Sequence, residues 1–170
     1  MLDERISGLL NDQINKELYS AYLYLSFSHF YTEKGLNGFA GWFLIQAQEE
    51  RDHALLIVRY LQNNDATVTY EAIDRPDAAP DAALDPLKAA LVHEQYVTGL
   101  IHQLCEAAQE RRDFRTLQFL DWFVKEQGEE EATVSELIKR MELFGADPRG
   151  LYLLDSELGS RVYAPPTLAL

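Results

Sequence analysis

Four long segments of the chain share one pattern, a stripe of apolar residues interrupted near its middle by an ionisable or amide side chain. Steps of alternately three and four residues follow the contact face of a packed helix bundle and place these polar groups on the face that each helix buries. The polar positions are Glu17 in the first segment, Gln46, Glu50 and His53 in the second, Glu94 in the third, and Gln127 and Glu130 in the fourth. The same counting puts Ala21, Tyr24 and Ser28 on the buried face of the first segment. The pattern predicts an all-α four-helix bundle with polar groups in its core.

The two halves of the chain repeat this pattern at one spacing. Glu17 and Glu50 are 33 residues apart, as are Glu94 and Gln127, and each half has a second polar residue three positions on. Unpaired carboxylates in a core are costly, and converging carboxylates repel one another and take up protons unless cations lie between them. The pattern therefore indicates a divalent metal site with carboxylate oxygens and one imidazole as ligands.

The alternative for any one of these residues is structural. A lone Glu in a helical stripe is usually a rim residue whose carboxylate reaches solvent, and a lone His is usually a core residue with a hydrogen-bond partner. Four helices with the same interruption at matched spacing favour the metal site over this alternative.

Glycines, prolines and N-cap residues divide the chain into helices and connections. The predicted helices cover residues 3–33, 38–63, 85–112, 113–144 and, for a short fifth helix, 148–159. Residues 64–84 contain two prolines and are predicted to be a long crossover, because about 20 extended residues reach roughly 66 Å and can cross the whole bundle. Helix three should then run parallel to helix two. We expect residues 1–170 to form a single domain, with a bundle at 3–144 and a loose tail at 160–170.

The fifth helix has one apolar face, formed by Leu151, Leu154 and Leu158. A helix of three turns is not stable by itself in water. It must therefore pack on the bundle or on another subunit.

Charge and composition exclude several classes of function. A formal net charge of −13 argues against a nucleic-acid partner and favours attraction of cations. No apolar run approaches the roughly 20 residues of a membrane span, and the acidic N-terminus does not resemble a signal peptide, so no membrane association is expected. Cys105 is the one cysteine of the sequence and leaves no internal disulfide, so the cytoplasm is the expected compartment.

Three motifs make the chain resemble the non-haem bacterial ferritins over nearly its whole length. They are NKELYS around Glu17, QEERDH with Glu50 and His53, and EQGEEE with Gln127 and Glu130. The resemblance implies a ferritin-like four-helix bundle with one long crossover between helices two and three plus a short fifth C-terminal helix. This architecture and its Glu and Glu-x-x-His ligands are already known for ferritin-like di-iron proteins.

The resemblance also implies a di-iron ferroxidase centre. Glu17, Glu50 and His53 would hold one iron, and Glu50, Glu94 and Glu130 would hold the second, so that Glu50 bridges the pair. Paired carboxylate-bound iron of this kind oxidises Fe(II) with dioxygen or hydrogen peroxide.

Further residues correspond to the surroundings of the family's centre. Gln127 would approach the first iron or its oxygen adduct by hydrogen bonding, and Tyr24 would either supply an electron or serve as a hydrogen-bonded core phenol. Bacterial ferritins also have a third iron position, which corresponds here to Glu49, Glu126, Glu129 and Glu130. A solvated acidic face is the alternative interpretation of the run at 129–131.

The function that the resemblance implies is iron storage. Fe(III) would enter a mineral inside a homo-oligomeric shell, which in the family has twenty-four subunits with the fifth helix at the four-fold axes. The alternatives are a ferritin-like di-iron or di-manganese oxidase or peroxidase that stores nothing, and a helical bundle that holds metal without chemistry. Haem is not expected, because Arg51 stands where bacterioferritins have their haem-ligating Met, and one cysteine excludes the Cys-x-x-Cys sites of rubrerythrins.

Four residues fall outside this pattern. Gly128 lies inside helix four, where glycine costs roughly 1 kcal/mol relative to alanine, and either gives room beside the metals or loosens the helix. His29, His93 and His102 lie off the buried stripes and are expected to have surface or secondary hydrogen-bonding roles.

Overall fold

The computed structural model describes residues 2–168, and within them the chain forms five helices. They are α1 (Glu4–Glu33), α2 (Asn37–Asn63), α3 (Asp85–Glu110), α4 (Phe114–Phe144) and α5 (Pro148–Leu158). The predicted all-α bundle with one long crossover and a short fifth helix is confirmed, with helix ends within two residues of the predicted ones. In the described part of the chain, none of the helices has the apolar stretch needed to span a bilayer.

N-cap carboxylates and a glycine mark several of the helix ends. The carboxylates of Asp3, Asp113 and Asp147 accept hydrogen bonds from backbone N–H groups two or three residues further on, which satisfies the free donors of a first turn. Gly35 follows α1 with a φ of 75°, a left-handed conformation that favours glycine and reverses the chain into α2.

The crossover follows α1 along the outside of the bundle. The Asn11 side chain donates to Thr67 O at 3.0 Å and accepts from Thr69 N at 2.7 Å. Further along, the Tyr31 hydroxyl donates to Ala83 O at 2.6 Å. Because these contacts advance along α1 in chain order, the crossover runs parallel to α1. It starts α3 at the opposite end of the bundle and makes α3 parallel to α2, as predicted.

Two apolar clusters fill the core and leave a polar layer between them. The first lies towards the start of α1 and the end of α2, and its fully buried members include Ile6, Leu10, Ile57, Leu61, Ile101 and Leu120. The second lies towards the end of α1 and the start of α2, and includes Phe27, Tyr31, Phe39, Phe43, Leu87 and Met141. Since Glu17 and Glu50 lie between the clusters on their helices, the polar layer is at mid-bundle.

The second half of α1 buries different residues from the predicted ones. Ala21 and Ser28 are half-buried, whereas Phe27 and Tyr31 are fully buried. After Glu17 the buried positions follow steps of three and then four residues, whereas the sequence counting took four and then three, so the two stripes have the same period and differ in phase.

α5 packs on its own bundle, and the described part of the tail continues along α2. Leu154 and Leu158 are buried in the second cluster, and Asp155 Oδ1 accepts from Phe39 N at 3.0 Å. The tail was expected to be loose, but Arg161 and Tyr163 donate to carboxylates of α2. These two hydrogen bonds to carboxylates hold the described part of the tail against the helix. The last two residues of the predicted tail lie outside the described residues.

The approach of α5 to α2 gives a prediction for two glycines. A Cβ at Gly38 would lie 1.6 Å from the Asp155 carbonyl oxygen, whereas a Cβ at Gly128 would meet nothing within 4 Å. Gly38→Ala should therefore displace α5 and lower the free energy of unfolding by about 1–3 kcal/mol, as overpacking does. Gly128→Ala should raise it by roughly 0.5–1 kcal/mol, because alanine favours the helix.

Urea or thermal unfolding of both metal-free variants beside the wild type measures these changes. Gly128→Ala is the matched control, since it makes the same substitution in a helix where nothing obstructs the methyl group. Wild-type stability of Gly38→Ala would contradict the close packing of α5.

Candidate metal centre

All four long helices contribute to the polar layer. The side chains that meet there are at most 8% exposed and are Glu17 of α1, Glu50 and His53 of α2, Glu94 of α3, and Gln127 and Glu130 of α4. Two triads have ligand atoms that all lie within 4.8 Å of one another, Glu17–Glu50–His53 and Glu50–Glu94–Glu130. The structure thus brings together six of the seven polar positions that the sequence singled out, makes Glu50 common to both triads, and places the seventh, Gln46, against Glu130.

Several buried ligand atoms in the triads have no hydrogen-bond partner among the described residues. They are Glu17 Oε2, Glu50 Oε1, His53 Nδ1 and Glu130 Oε2. Buried polar atoms are almost always satisfied, so a concentration of exceptions needs an explanation. Carboxylate oxygens with one imidazole nitrogen form a donor set that suits divalent iron. The residues present therefore fit a pair of metal ions, one in each triad.

Burial and mutual repulsion raise the proton affinity of this layer. Burial and the nearby carboxylates of Glu94 and Glu17 hold the pKa of Glu50 well above its ordinary value. The pKa of Glu130 is raised in the same way, and burial raises the pKa values of Glu17 and Glu94. Burial lowers the pKa of His53, but Glu130 and the other carboxylates outweigh it and the net shift is upward. A bound cation would replace the protons that these groups otherwise hold.

Two polar side chains beside the triads orient Glu94. The Tyr24 hydroxyl donates to Glu94 Oε1, and Gln127 Nε2 donates to Glu94 Oε2 at 3.0 Å. Burial is the main cause that raises the pKa of Tyr24 well above its ordinary value, and the negative charge of Glu94 adds to it, so the phenol keeps its proton. Gln127 was expected near the first iron, but its amide contacts a member of the second triad. Roles for either residue towards oxygen or in electron transfer stay predictions.

The residues of the predicted third position line one cavity beside the triads. It has a volume of about 130 Å³ and is lined by Trp42, Gln46, Glu49, Glu126, Glu129, Glu130, Thr133 and Arg161. His53, Glu126 and Glu130 also place ligand atoms within 4.8 Å of one another. The acidic run at 129–131 is therefore not one face, because Glu131 turns towards α3 and accepts from the Thr98 hydroxyl at 2.5 Å.

The sequence did not indicate two residues that contact the centre. Gln13 Nε2 donates to Glu17 Oε1 at 2.8 Å and lies one helical turn before it, a spacing that could have revealed it. Arg161 bonds Glu49 from the tail, and no local signal indicates a contact between residues so distant in sequence.

The remaining histidines lie outside the triads. His29 and His102 are exposed. His93 Nε2 is 2.7 Å from Ser20 Oγ, and burial lowers the pKa of His93 to about 4. These positions agree with the surface and secondary hydrogen-bonding roles expected for them.

A four-helix bundle with one long crossover and paired carboxylate triads at mid-bundle defines the ferritin-like class. Residues 8–144 match the family described as the ferritin-like domain, and the chain belongs to this family. Within it, the chain is similar to curated proteins named bacterial non-heme ferritin. It is 38% identical over 155 residues to that of Campylobacter jejuni, with 91% of this chain and 93% of the relative covered. It is 35% identical over 163 residues to that of Staphylococcus aureus, with 96% and 98% covered.

Solved ferritin structures are also similar to this chain. An open-pore ferritin from the hyperthermophilic archaeon Archaeoglobus fulgidus superposes with a TM-score of 0.92 at 39% identity, covering 95% of this chain and all 100% of that one. A closed form engineered from the ferritin of the same organism superposes with a TM-score of 0.94 at 38% identity, covering 96% and 100%.

Proposed function

We propose that the protein is an iron-storage ferritin, which oxidises Fe(II) at the paired triads and stores the Fe(III) product as a mineral inside a multi-subunit shell. The observation that carries the proposal is the pair of buried triads that share Glu50 and retain unpartnered ligand atoms. Family membership and the similarity to bacterial non-heme ferritins support the iron-storage role.

Iron is the substrate in this proposal. Glu17, Glu50 and His53 bind one Fe(II), and Glu50, Glu94 and Glu130 bind the second. Two Fe(II) ions supply the two electrons that, with two protons, convert dioxygen to hydrogen peroxide or hydrogen peroxide to two waters. The carboxylates hold both metals at one place, balance their charge and favour the harder Fe(III) product.

Buried carboxyl groups of the chain release protons when iron binds. Because burial and mutual repulsion raise the pKa values of Glu50 and Glu130, the metal-free site holds protons that Fe(II) must displace. Glu49, Glu126 and Glu129, together with Glu130 of the second triad, form an outer position next to the triads, which we propose receives a third iron ion.

The shell is proposed to contain twenty-four copies of the chain. Large apolar side chains remain exposed where α4 meets α5, among them Leu143 at 74%, Phe144 at 50%, Tyr152 at 71% and Leu153 at 66%. Apolar patches of this kind mark interfaces, and they support contacts between fifth helices of neighbouring subunits.

Gel filtration combined with aerobic addition of two Fe(II) per subunit tests the proposal. We expect a particle of about twenty-four chains and rapid growth of ferric absorbance. A dimer that oxidises iron would indicate a non-storage oxidase. A large particle with only the background rate would mean that the triads are not the catalyst.

A further inference from the structure

The tail after α5 brings a positive charge into the acidic cavity beside the triads. Arg161 Nη2 donates to Glu49 Oε2 at 2.6 Å, and Nη1 donates to Trp42 O at 3.4 Å. The guanidinium carbon lies 4.8 Å from the centre of the Trp42 ring. The Arg161 and Glu49 side chains are only 26% and 19% exposed, whereas those of the surface pair Lys88–Glu142 are 55% and 52% exposed. Water and salt therefore screen the Arg161 charge less than a surface charge.

Carboxyl groups outnumber bases around this charge. Of the described residues lining the cavity, four are carboxylates and Arg161 is the one base. Glu130 is 8% exposed, and its Oε2 has no hydrogen-bond partner in the described part of the chain. The cavity thus has on one side the carboxylate of Glu130, which it shares with the second triad, and on the other a carboxylate held by a guanidinium.

We propose that Arg161 is a tethered counter-cation that sets the affinity of the outer position for metal. The inference rests on the proposed function, since it concerns how iron leaves the central pair. A metal ion bound to Glu49 would lie beside the guanidinium, and the two positive charges would repel at this degree of burial. The ion must therefore either displace Arg161 or bind weakly. Weak binding makes the outer position a transit site, from which iron moves on.

The coupling is reciprocal. If Arg161 weakens metal binding at the outer position, then metal there weakens the contact of Arg161 with Glu49 by the same factor. The adjacent anchor of the tail is Tyr163, whose hydroxyl donates to Asp52 on α2. Metal at the outer position should therefore loosen residues 160–168, which Arg161 and Tyr163 hold against the bundle.

Titration calorimetry with Zn(II) on the metal-free assembled protein tests the assignment. Zn(II) is not oxidised, so binding is measured without turnover. The wild type should bind two equivalents tightly and a third more weakly. In Arg161→Gln the two tight equivalents should be unchanged and the third should bind about ten-fold more tightly, as expected when a partly buried charge repulsion is removed.

Three further variants separate charge from structure. Arg161→Lys keeps the positive charge and should gain less affinity than Arg161→Gln. Arg140→Gln is the matched control, because Arg140 is 28% exposed and pairs with Glu157 away from the cavity; it should leave all three equivalents unchanged. Glu49→Gln should abolish the gain when it is combined with Arg161→Gln.

Amide hydrogen exchange gives a second readout on the wild type. Exchange in residues 160–168 should rise when the third equivalent of Zn(II) is added, and not with the first two. An unchanged or weaker third equivalent in Arg161→Gln would overturn the assignment and make Arg161 a structural anchor of Glu49. Absence of the two tight equivalents in the wild type would instead contradict the proposed metal centre itself.

Discussion

Glu50→Ala is expected to reduce the initial rate of Fe(II) oxidation by more than about 100-fold. Glu50 is the one residue common to both triads, so the substitution removes a ligand from each metal. Loss of a hydrogen-bond partner behind a metal ligand already costs roughly 10–100-fold, and loss of a shared ligand should cost more. Stopped-flow absorbance of the ferric product at two Fe(II) per subunit measures the rate.

Glu106→Ala is the matched control, since Glu106 is an exposed carboxylate on α3 outside the triads. It should oxidise iron at the wild-type rate. Glu50→Gln should also be slow, although the metal-free form of this variant should be more stable than the wild type at neutral pH. The reason is that a neutral amide removes a buried carboxylate whose pKa burial and two neighbouring carboxylates raise. Fast oxidation in Glu50→Ala would place the catalytic centre elsewhere.

The second large effect is on the free energy of unfolding. Bound metal should oppose the pH dependence that the polar layer at mid-bundle contributes to it. The carboxylates of Glu17, Glu50, Glu94 and Glu130 have pKa values raised above the ordinary 4.5, mainly by burial. Their protonated forms stabilise the folded state fully below about pH 4.5, and this contribution is lost as the pH rises through the raised values. His53 contributes with the same sign, since its folded pKa lies above the ordinary 6.5.

Metal binding has the opposite dependence, because the ligands must lose protons before they coordinate. The stability gained from Zn(II) should therefore be larger at pH 7 than at pH 5. It should reach about 2.7 kcal/mol per site when the metal is at one hundred times its dissociation constant. Guanidinium chloride unfolding of metal-free and Zn(II)-loaded protein at both pH values measures the difference.

Glu50→Ala serves as the control for this prediction, since it should lose most of the stabilisation by Zn(II) at pH 7. A stabilisation that is equal at pH 5 and pH 7 would mean that the buried carboxylates do not converge on the metals. That result would leave the bundle intact and remove the physical basis of the centre.

The sequence was sufficient to predict the helices, their order and the depth of the polar layer. These follow from local rules: the helical period, the N-cap residues and the number of residues from each helix end to Glu17, Glu50, Glu94 and Gln127. The long crossover followed as well, because proline content and chain length leave few other paths for residues 64–84.

The tertiary structure decided which atoms meet. The counting of buried stripes assigned Ser28 to the core, but Phe27 and Tyr31 are buried instead, because packing selects which of two adjacent positions in each turn faces the core. The sequence placed Gln127 near the centre, yet only packing decides that its amide contacts Glu94. The tail differs most between prediction and structure, because Arg161 pairs with Glu49, which lies 112 residues earlier in the sequence. A helix is fixed by neighbours along the chain and is therefore predictable, whereas an ion pair between distant segments exists only once packing has brought them together.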